Sequence, residues 1–147
     1  MNDIWKLSAF EINDLFKNKK VSAVEICNET IKHIENTNPK INAIVVDTFN
    51  EAKNTAVSLD KKLNNKENLG ELAGVPITIK VNTDQTGYAS TNGLRIQKDL
   101  VAKKDSPVVK NLKKSDSLIV GRTNTPAFSI HWFTRNSLHG HTINPHN

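Results

Sequence analysis

The sequence has little cysteine: Cys27 stands alone, so no disulfide can form within the 147 residues. A chain without disulfides fits a reducing compartment. It also lacks any apolar run long enough to span a membrane, and its first residues lack the basic segment and apolar stretch of a secretory signal. These absences predict a cytoplasmic protein with no membrane partner.

Arginine is also scarce, with Arg95, Arg122 and Arg135 alone, although the formal net charge is +5 and the pI about 9.4. Arginine makes the forked contacts to phosphate, and binding of single strands usually adds interleaved aromatic residues. The lysines are instead scattered in pairs such as Lys103-Lys104. We interpret the charge as a solvated surface and predict no nucleic-acid partner. The alternative, a basic nucleic-acid binder, predicts salt-dependent retention of DNA or RNA.

Helices are predicted in the first half of the chain. With 37% hydrophobic residues, the chain can form one modest core. Capping boxes, in which a hydroxyl residue precedes a glutamate by three positions, begin at Ser8, Ser22 and Thr48. The second helix is expected to end near Asn36–Pro39. The predicted buried positions of the second and third helices are Val24, Cys27, Ile31, Ile34, Ala52, Ala56, Leu59 and Leu63. Cys27 is therefore interpreted as a core residue and not as a reactive thiol.

Strands are predicted in the second half. Residues 72–81 read as a strand in which alternate residues from Val75 to Val81 point one way and Thr78 and Lys80 the other. A helix begins at Ser106-Pro107, and a strand at 118–120 ends at Gly121. This order predicts an α/β fold, with N-terminal helices followed by part of a mixed β-sheet sandwiched by helices. Residues 123–147 show no period and are expected to form an irregular tail.

Lys80 is the candidate catalytic residue. It follows β-branched residues in what is expected to be a central strand, and it precedes the polar turn 82–84. A lysine at a strand end that faces a partly buried layer loses water, which favours its neutral form. A neutral lysine can act as a general base.

The histidines of the tail allow a different interpretation. His139-Gly140-His141, with His131 and His146, could ligate a metal. Alternating histidines without cysteines or an ordered carboxylate are weak evidence for such a site. We predict neither a metal nor an organic cofactor.

Several motifs occur in an order that resembles the amidase signature family. The strand 72–80 resembles the family's lysine motif, and Ser90-Thr91-Asn92-Gly93 resembles its glycine turn. The further matches are Ser22-Ala23-Val24-Glu25, 38–43, Asp105-Ser106-Pro107-Val108-Val109 and Gly121-Arg122-Thr123-Asn124-Thr125-Pro126. Each motif is weak alone, but the ordered set is specific and covers essentially the whole chain.

The resemblance implies hydrolysis of amides, or transfer of ammonia from glutamine, through an acyl-enzyme. Family members use two serines and a lysine, which is Lys80 by motif. The lysine acts on a bridging serine, which relays a proton from the nucleophilic serine, and backbone N–H groups stabilise the oxyanion. The expected substrate is a small amide, bound only when a C-terminal part completes the chain.

Both family serines are expected beyond the stretch matched by Asn144-Pro145, and no Gly-Gly-Ser sequence is present. The serines that do occur are interpreted as helix caps, strand flanks or tail residues. We therefore predict that the nucleophile and the bridging serine are absent from this chain, which is catalytically incomplete alone. The fold is expected to be an incomplete amidase-signature domain over residues 1–147.

Two residues depart from the family pattern. Val81 stands where an aspartate commonly follows the lysine, and Ala127 stands where a glutamate commonly precedes Phe128. The alternative to an amidase fragment is therefore a non-catalytic truncated remnant or a small interaction module. A sheet cut short would leave an unpaired edge, so self-association is also expected.

Overall fold

The computed structural model describes residues 3–146. The helices in that range are α1 (Ala9–Lys17), α2 (Ala23–Ile41), α3 (Phe49–Asn64) and α4 (Pro107–Lys114). The strands are β1 (Ile44–Asp47), β2 (Pro76–Lys80), β3 (Leu118–Thr123), β4 (Arg135–Asn136) and β5 (Gly140–His141). Short 3₁₀ helices lie at Ile4–Lys6, Arg95–Gln97 and Ala127–Ser129. The expected α/β class is confirmed.

The described residues form two compact units. The first contains residues up to 36, 48–77 and 111–120, and the second contains 37–47, 78–110 and residues from 121 onward. The strands β2 and β3 each run from the first unit into the second.

Two of the three predicted capping boxes are present. The Ser8 hydroxyl accepts from Glu11 N–H and the Ser8 N–H donates to the Glu11 carboxylate, and Ser22 and Glu25 repeat this geometry. The third prediction is wrong in its detail. The helix does begin after Thr48, but the buried Thr48 hydroxyl donates to the Ile119 carbonyl at 2.7 Å instead of capping the helix.

The predicted end of α2 is also wrong, since the helix continues to Ile41 with Pro39 inside its last turn. The Asn38 side chain explains why the chain then turns. Its carbonyl oxygen accepts from Ala43 and Ile44 N–H, and its amide donates to the Ile44 carbonyl. These bonds pair backbone groups of the turn after the helix and of the first residue of β1.

The first unit contains the apolar core. Phe16, Cys27 and Ile31 are buried there with other apolar residues of α1, α2 and α3. Burial raises the pKa of the Cys27 thiol to about 11, which confirms the core interpretation. The expected faces of α2 and α3 are confirmed, with Val24, Ile34 and Leu63 only partly buried.

Asp60 caps α2 from the neighbouring helix α3. Its carboxylate oxygens accept from the backbone N–H groups of Ala23 at 2.7 Å and Val24 at 3.2 Å. We expect Asp60→Ala to lower the free energy of unfolding by about 1–2 kcal/mol, as the loss of a helix cap does. Urea denaturation measures this change. The control Glu71→Ala removes an exposed carboxylate with the same charge and should stay within about 0.5 kcal/mol of wild type; an equal loss there would contradict the capping role.

The main sheet has the strand order β1-β3-β2. β1 pairs antiparallel with β3, with Asp47 opposite Gly121. The Leu118 N–H donates to the Val75 carbonyl and the Val81 N–H to the Thr123 carbonyl, so β2 runs parallel to β3 and the sheet is mixed. The prediction that the second strand ends at Gly121 is wrong, because β3 continues to Thr123. A side chain at Gly121 would lie 2.7 Å from Ile44, which accounts for glycine there.

Side-chain hydrogen bonds fix the last described segment of the second unit. Its segment 123–146 carries the 3₁₀ turn Ala127–Ser129 and the antiparallel pair β4–β5. Asn42 ties this segment to the end of α2, because its side chain donates to the His139 and His141 carbonyls and its carbonyl accepts from the Thr142 hydroxyl. The segment is thus fixed by side-chain bonds although it has little regular structure.

Candidate active site

Lys80 is the last residue of β2, and its side chain is exposed. The alternation predicted for this strand is confirmed, since Val75, Ile79 and Val81 are buried and Thr78 and Lys80 are exposed, with Ile77 only partly buried. The expectations of a central strand and of a partly buried layer at Lys80 are wrong for the described residues. β3 is the central strand, and the described residues leave the lysine face of β2 open to solvent.

A fixed turn follows Lys80. The Thr83 N–H donates to the Lys80 carbonyl at 2.9 Å, and the Thr91 N–H donates to the Val81 carbonyl at 3.0 Å. Val81 stands where the family pattern has aspartate, and its side chain is fully buried. An apolar residue suits that environment, because a carboxylate there would need charged or hydrogen-bonding partners.

A cluster of three polar side chains lies beside this turn. The Asn82 amide donates to the Ser129 hydroxyl at 3.0 Å, and the Ser129 and Thr125 hydroxyls lie 2.8 Å apart. Phe128 and Ser129 both have left-handed backbone, with φ of 54° and 61°. Such conformations are costly for residues other than glycine and concentrate at functional sites. The cluster contains no base that could activate the Ser129 hydroxyl.

Arg122 is fully buried beneath the loop that follows Lys80. Its guanidinium donates to the Thr83 carbonyl at 2.8 Å and the Ala89 carbonyl at 3.1 Å, and it lies 5.5 Å from the ring centre of Tyr88. Burial lowers the pKa of Arg122, while Tyr88 and Asp84 oppose this effect. Arg122 therefore connects β3 to both ends of the loop 83–89.

A second polar network supports the strand pair β4–β5. The Asn136 amide donates to the Asn124 side chain and the Thr125 carbonyl, and its own carbonyl oxygen accepts from the Leu138 and His139 N–H groups. The His139 ring lies 3.2 Å from the Thr91 hydroxyl. Burial lowers the pKa of His139.

The histidines do not converge on a metal-binding geometry. In the part of the chain that the structure describes, no three histidine, cysteine, aspartate or glutamate side chains come together. His131 and His141 line an apolar groove of about 690 Å³, together with Ala127, Trp132, Phe133, Arg135, Asn136 and Ser137. Ala127, which stands at the family's glutamate position, is thus part of this groove.

The serines have structural contacts. Ser8, Ser22 and Ser106 cap helices, as predicted, and Ser117 donates to the Leu112 carbonyl. Ser90 donates to the Asp84 carboxylate in a buried position. None of these contacts joins a serine to Lys80 within residues 3–146.

Sequence reasoning missed two parts of this site. Arg122 and Thr125 entered only as members of a motif, with no role assigned, and Ser129 was expected to be a residue of an irregular tail. The motif Gly121-Arg122-Thr123-Asn124-Thr125-Pro126 was the available signal, because a run of polar residues directly after a buried strand often has partners. No sequence signal predicted the left-handed conformations at Phe128 and Ser129, because neither residue type favours that conformation.

Comparison with known proteins places the chain in a family. The family model described as amidase matches residues 25–147. The indoleacetamide hydrolase of Bradyrhizobium diazoefficiens is 43% identical over 97% of this chain and 27% of that hydrolase. A glutamyl-tRNA(Gln) amidotransferase subunit of Fusobacterium nucleatum is 38% identical over 98% of this chain and 30% of its own length. The crystal structure of a bacterial aryl acylamidase of the amidase signature family superimposes with a TM-score of 0.91 and 35% identity, over 96% of this chain and 30% of the acylamidase.

The fold is therefore that of part of an amidase-type hydrolase. The chain belongs to the amidase signature family. It spans about 30% of the length of the relatives that it matches. Among the helices of residues 3–146, none combines the length and the apolar composition that a membrane span requires.

Proposed function

We propose that this chain forms the lysine-bearing part of an amidase, in which Lys80 is the general base and the two serines lie in the remaining part of the fold. The observation that carries the proposal is the family match over residues 25–147, and Lys80 ends β2 within a segment that resembles the family's lysine motif. The backbone turn fixed by Thr83 and the cluster of Asn82, Thr125 and Ser129 support it, because a base must be held in a defined position.

The reaction is hydrolysis of a carboxamide in two steps. Lys80 accepts a proton from the bridging serine, which accepts one from the nucleophilic serine as that oxygen attacks the amide carbon. The C–N bond then breaks, and the nitrogen leaves as an amine or as ammonia with the relayed proton. Water attacks the acyl-enzyme, releases the carboxylic acid and returns the proton to the serine.

The proposed substrate is a small carboxamide with an aromatic group. Its support is the 43% identity to an indoleacetamide hydrolase, compared with 38% to the amidotransferase protein. Glutamine is the second candidate substrate, favoured by the amidotransferase proteins among the relatives. The single buried Cys27 fits action in a reducing compartment.

Ammonia release tests the function. The chain is co-expressed with a separate polypeptide that carries the part of the Bradyrhizobium hydrolase that this chain does not match. We expect no turnover by the chain alone and turnover of indole-3-acetamide by the pair, with kcat/KM for glutamine at least about tenfold lower. A purified complex that releases no ammonia from any amide would favour the alternative, a non-catalytic remnant or interaction module. If the pair turned over glutamine faster than indole-3-acetamide, glutamine would become the proposed substrate.

A further inference from the structure

His139 directly precedes β5, and both of its backbone groups are paired. Its N–H donates to the Asn136 side chain at 2.6 Å, and its carbonyl accepts from the Asn42 side chain at 2.8 Å. These bonds come from β4 and from the end of α2, so the backbone that carries the imidazole ring is held from two sides. The ring projects towards the loop after Lys80, where its Nε2 lies 3.2 Å from the Thr91 hydroxyl.

Thr91 connects this ring to the residue that follows Lys80. Thr91 is only 4% exposed, and its N–H donates to the Val81 carbonyl at 3.0 Å. The Val81 N–H donates in turn to the Thr123 carbonyl of β3. Val81 is thus bonded on both sides, and a shift of Thr91 would break one of these bonds and loosen the end of β2, where Lys80 lies.

The turn that contains Thr91 has little room to adapt. Gly93 has a φ of 70°, and a Cβ at this position would lie 3.1 Å from the Asn136 side chain and 3.1 Å from the Thr125 carbonyl. Because these neighbours leave no free space on that side, the turn cannot move towards β4 when the contact with His139 is lost.

The hydrogen-bonding capacity of Thr91 decides which protonation state of His139 fits. Among the described residues, the Thr91 hydroxyl contacts the Gly93 N–H, which donates to it at 3.3 Å, and the His139 ring. A hydroxyl has a single proton to donate, and a neutral ring with its proton on Nδ1 can accept it at Nε2. A charged ring carries protons on both nitrogens, so the buried hydroxyl would then face two donors and lose the acceptor for its own proton.

We propose that His139 is a pH-sensitive positioning residue, whose neutral ring accepts from the Thr91 hydroxyl and so holds the end of β2, and whose protonation in mild acid breaks this contact. The consequence for catalysis rests on the proposed function of Lys80. The contact itself lies within one compact unit of the chain and needs neither that function nor a partner polypeptide.

The charges around His139 also favour the neutral ring. The charged and titratable groups of β4, β5, the end of α2 and the turn after Thr91 are basic, namely Lys40, Arg95, Arg135 and His141. In the loop after Lys80, the Asp84 carboxylate already accepts from the Ser90 hydroxyl. Burial lowers the pKa of His139 below its ordinary value. The contact therefore stabilises the fold fully above about pH 6.5, and this contribution is lost as the pH falls through the folded-state pKa.

Nuclear magnetic resonance of the ring nitrogens tests the contact in the chain alone. At about pH 7.5 we expect His139 to carry its proton on Nδ1 and none on Nε2. Its titration midpoint should lie below those of His141 and His146, which are exposed histidines of the same segment.

Hydrogen exchange tests whether the contact holds the end of β2. After correction for the intrinsic effect of pH, exchange in peptides from residues 81–94 should rise at least about threefold between about pH 7.5 and about pH 5.5. Peptides from α3, which lies in the other unit, should change less.

Substitutions at position 139 separate the contact from general effects of acid. His139→Gln supplies a carbonyl oxygen that accepts from Thr91 at any pH, so exchange in residues 81–94 should stay slow and change less than about 1.5-fold in acid. His139→Phe keeps an aromatic ring without an acceptor, so exchange should be at least about threefold faster already at about pH 7.5. His141→Gln is the matched control, because it removes an exposed histidine two positions away and should keep the wild-type response.

Activity links the contact to catalysis. The variants are assembled with the part of the Bradyrhizobium hydrolase that this chain does not match. A lysine base loses activity in acid by itself, so the informative quantity is the difference between variants. Between about pH 7.5 and about pH 5.5, kcat of wild type should fall at least about threefold more than kcat of His139→Gln, with similar KM values, because the displaced group is a base and not a binding residue.

Three results in the chain alone would overturn the proposal: a proton on Nε2 at neutral pH, a titration midpoint equal to that of His141, or an equal acid response of exchange in wild type and His139→Gln. An equal acid loss of kcat in these two proteins would overturn the positioning role. A complex that turns over no amide in any variant would contradict the proposed function instead, and the resonance and exchange results would still decide whether His139 holds Thr91.

Discussion

We expect Lys80→Ala to lower kcat/KM of the assembled enzyme by about 10²–10⁴-fold, the range over which a positioned general base contributes. In the proposed mechanism, the bridging serine then has no group to accept its proton, and the nucleophilic serine stays protonated. Ammonia release from indole-3-acetamide by the purified complex measures the loss. The variant complex should have the same composition as wild type, since the Lys80 side chain is exposed and its removal leaves the core of the described residues intact.

Lys80→Arg tests whether position 80 needs a proton acceptor or only a positive charge. A guanidinium keeps its proton at any pH that a protein tolerates, so arginine can replace the charge of lysine but not its basicity. We expect the arginine variant to lose about as much activity as the alanine variant. Lys103→Ala is the matched control, because Lys103 is another exposed lysine of the same unit, and its activity should stay within about twofold of wild type. Full activity in Lys80→Arg would contradict the role of base.

Local patterns in the sequence predicted most of the first unit. Capping boxes at Ser8 and Ser22 depend on residues three positions apart, and the buried faces of α2 and α3 depend on helical spacing. Both kinds of signal are contained within one element. The Thr48 box failed because a distant strand offered the hydroxyl a better partner, the Ile119 carbonyl, and no local pattern can reveal a contact across 71 positions.

The strand β1 was missed although a signal was present. Ile44, Val45 and Val46 are β-branched, and Asn42 has the left-handed backbone that asparagine tolerates at the end of a helix. The segment is four residues long and lies between two helices, so its pairing with β3 decided its conformation. That pairing places β3 in the centre of the sheet and β2 at its edge.

Of the candidate site, the sequence predicted the alternating strand that ends at Lys80 but not its surroundings, and the role of Lys80 as a base stays a prediction. A partly buried layer at Lys80 was expected because the β-branched residues before it suggested a central strand. The apolar residues of this strand, such as Ile79, are buried on the opposite face, and exposure of the lysine face depends on what covers it. The polar cluster of Asn82, Thr125 and Ser129 joins residues 47 positions apart, so only the folded backbone brings it together.

The second large effect is expected at Arg122. Arg122→Met keeps much of the apolar stem but removes the donors to the Thr83 and Ala89 carbonyls. A buried carbonyl left without a donor costs about 1–3 kcal/mol. Because these carbonyls are only partly buried, we expect a combined loss of about 2–4 kcal/mol in the free energy of unfolding, measured by urea denaturation.

The loss should be concentrated in the loop that Arg122 holds. Val81 precedes this loop and Thr91 follows it, and their backbone bond remains, so the variant should keep β2 while the loop opens more often. Hydrogen exchange followed by mass spectrometry should show faster exchange in peptides from residues 82–91 than in peptides from α3. Lysine at this position can supply one charged donor group but not the planar fork of a guanidinium. The unfolding free energy of Arg122→Lys should therefore lie between those of Arg122→Met and wild type.

Arg135→Met is the matched control for this prediction, because it removes an exposed arginine from the same unit. Its unfolding free energy should stay within about 0.5 kcal/mol of wild type. If Arg122→Met were as stable as this control, the two carbonyls would have found other donors, and the guanidinium would not hold the loop. If exchange rose equally in α3 and in residues 82–91, Arg122 would stabilise the chain as a whole, and the specific connection between β3 and the loop after Lys80 would be wrong.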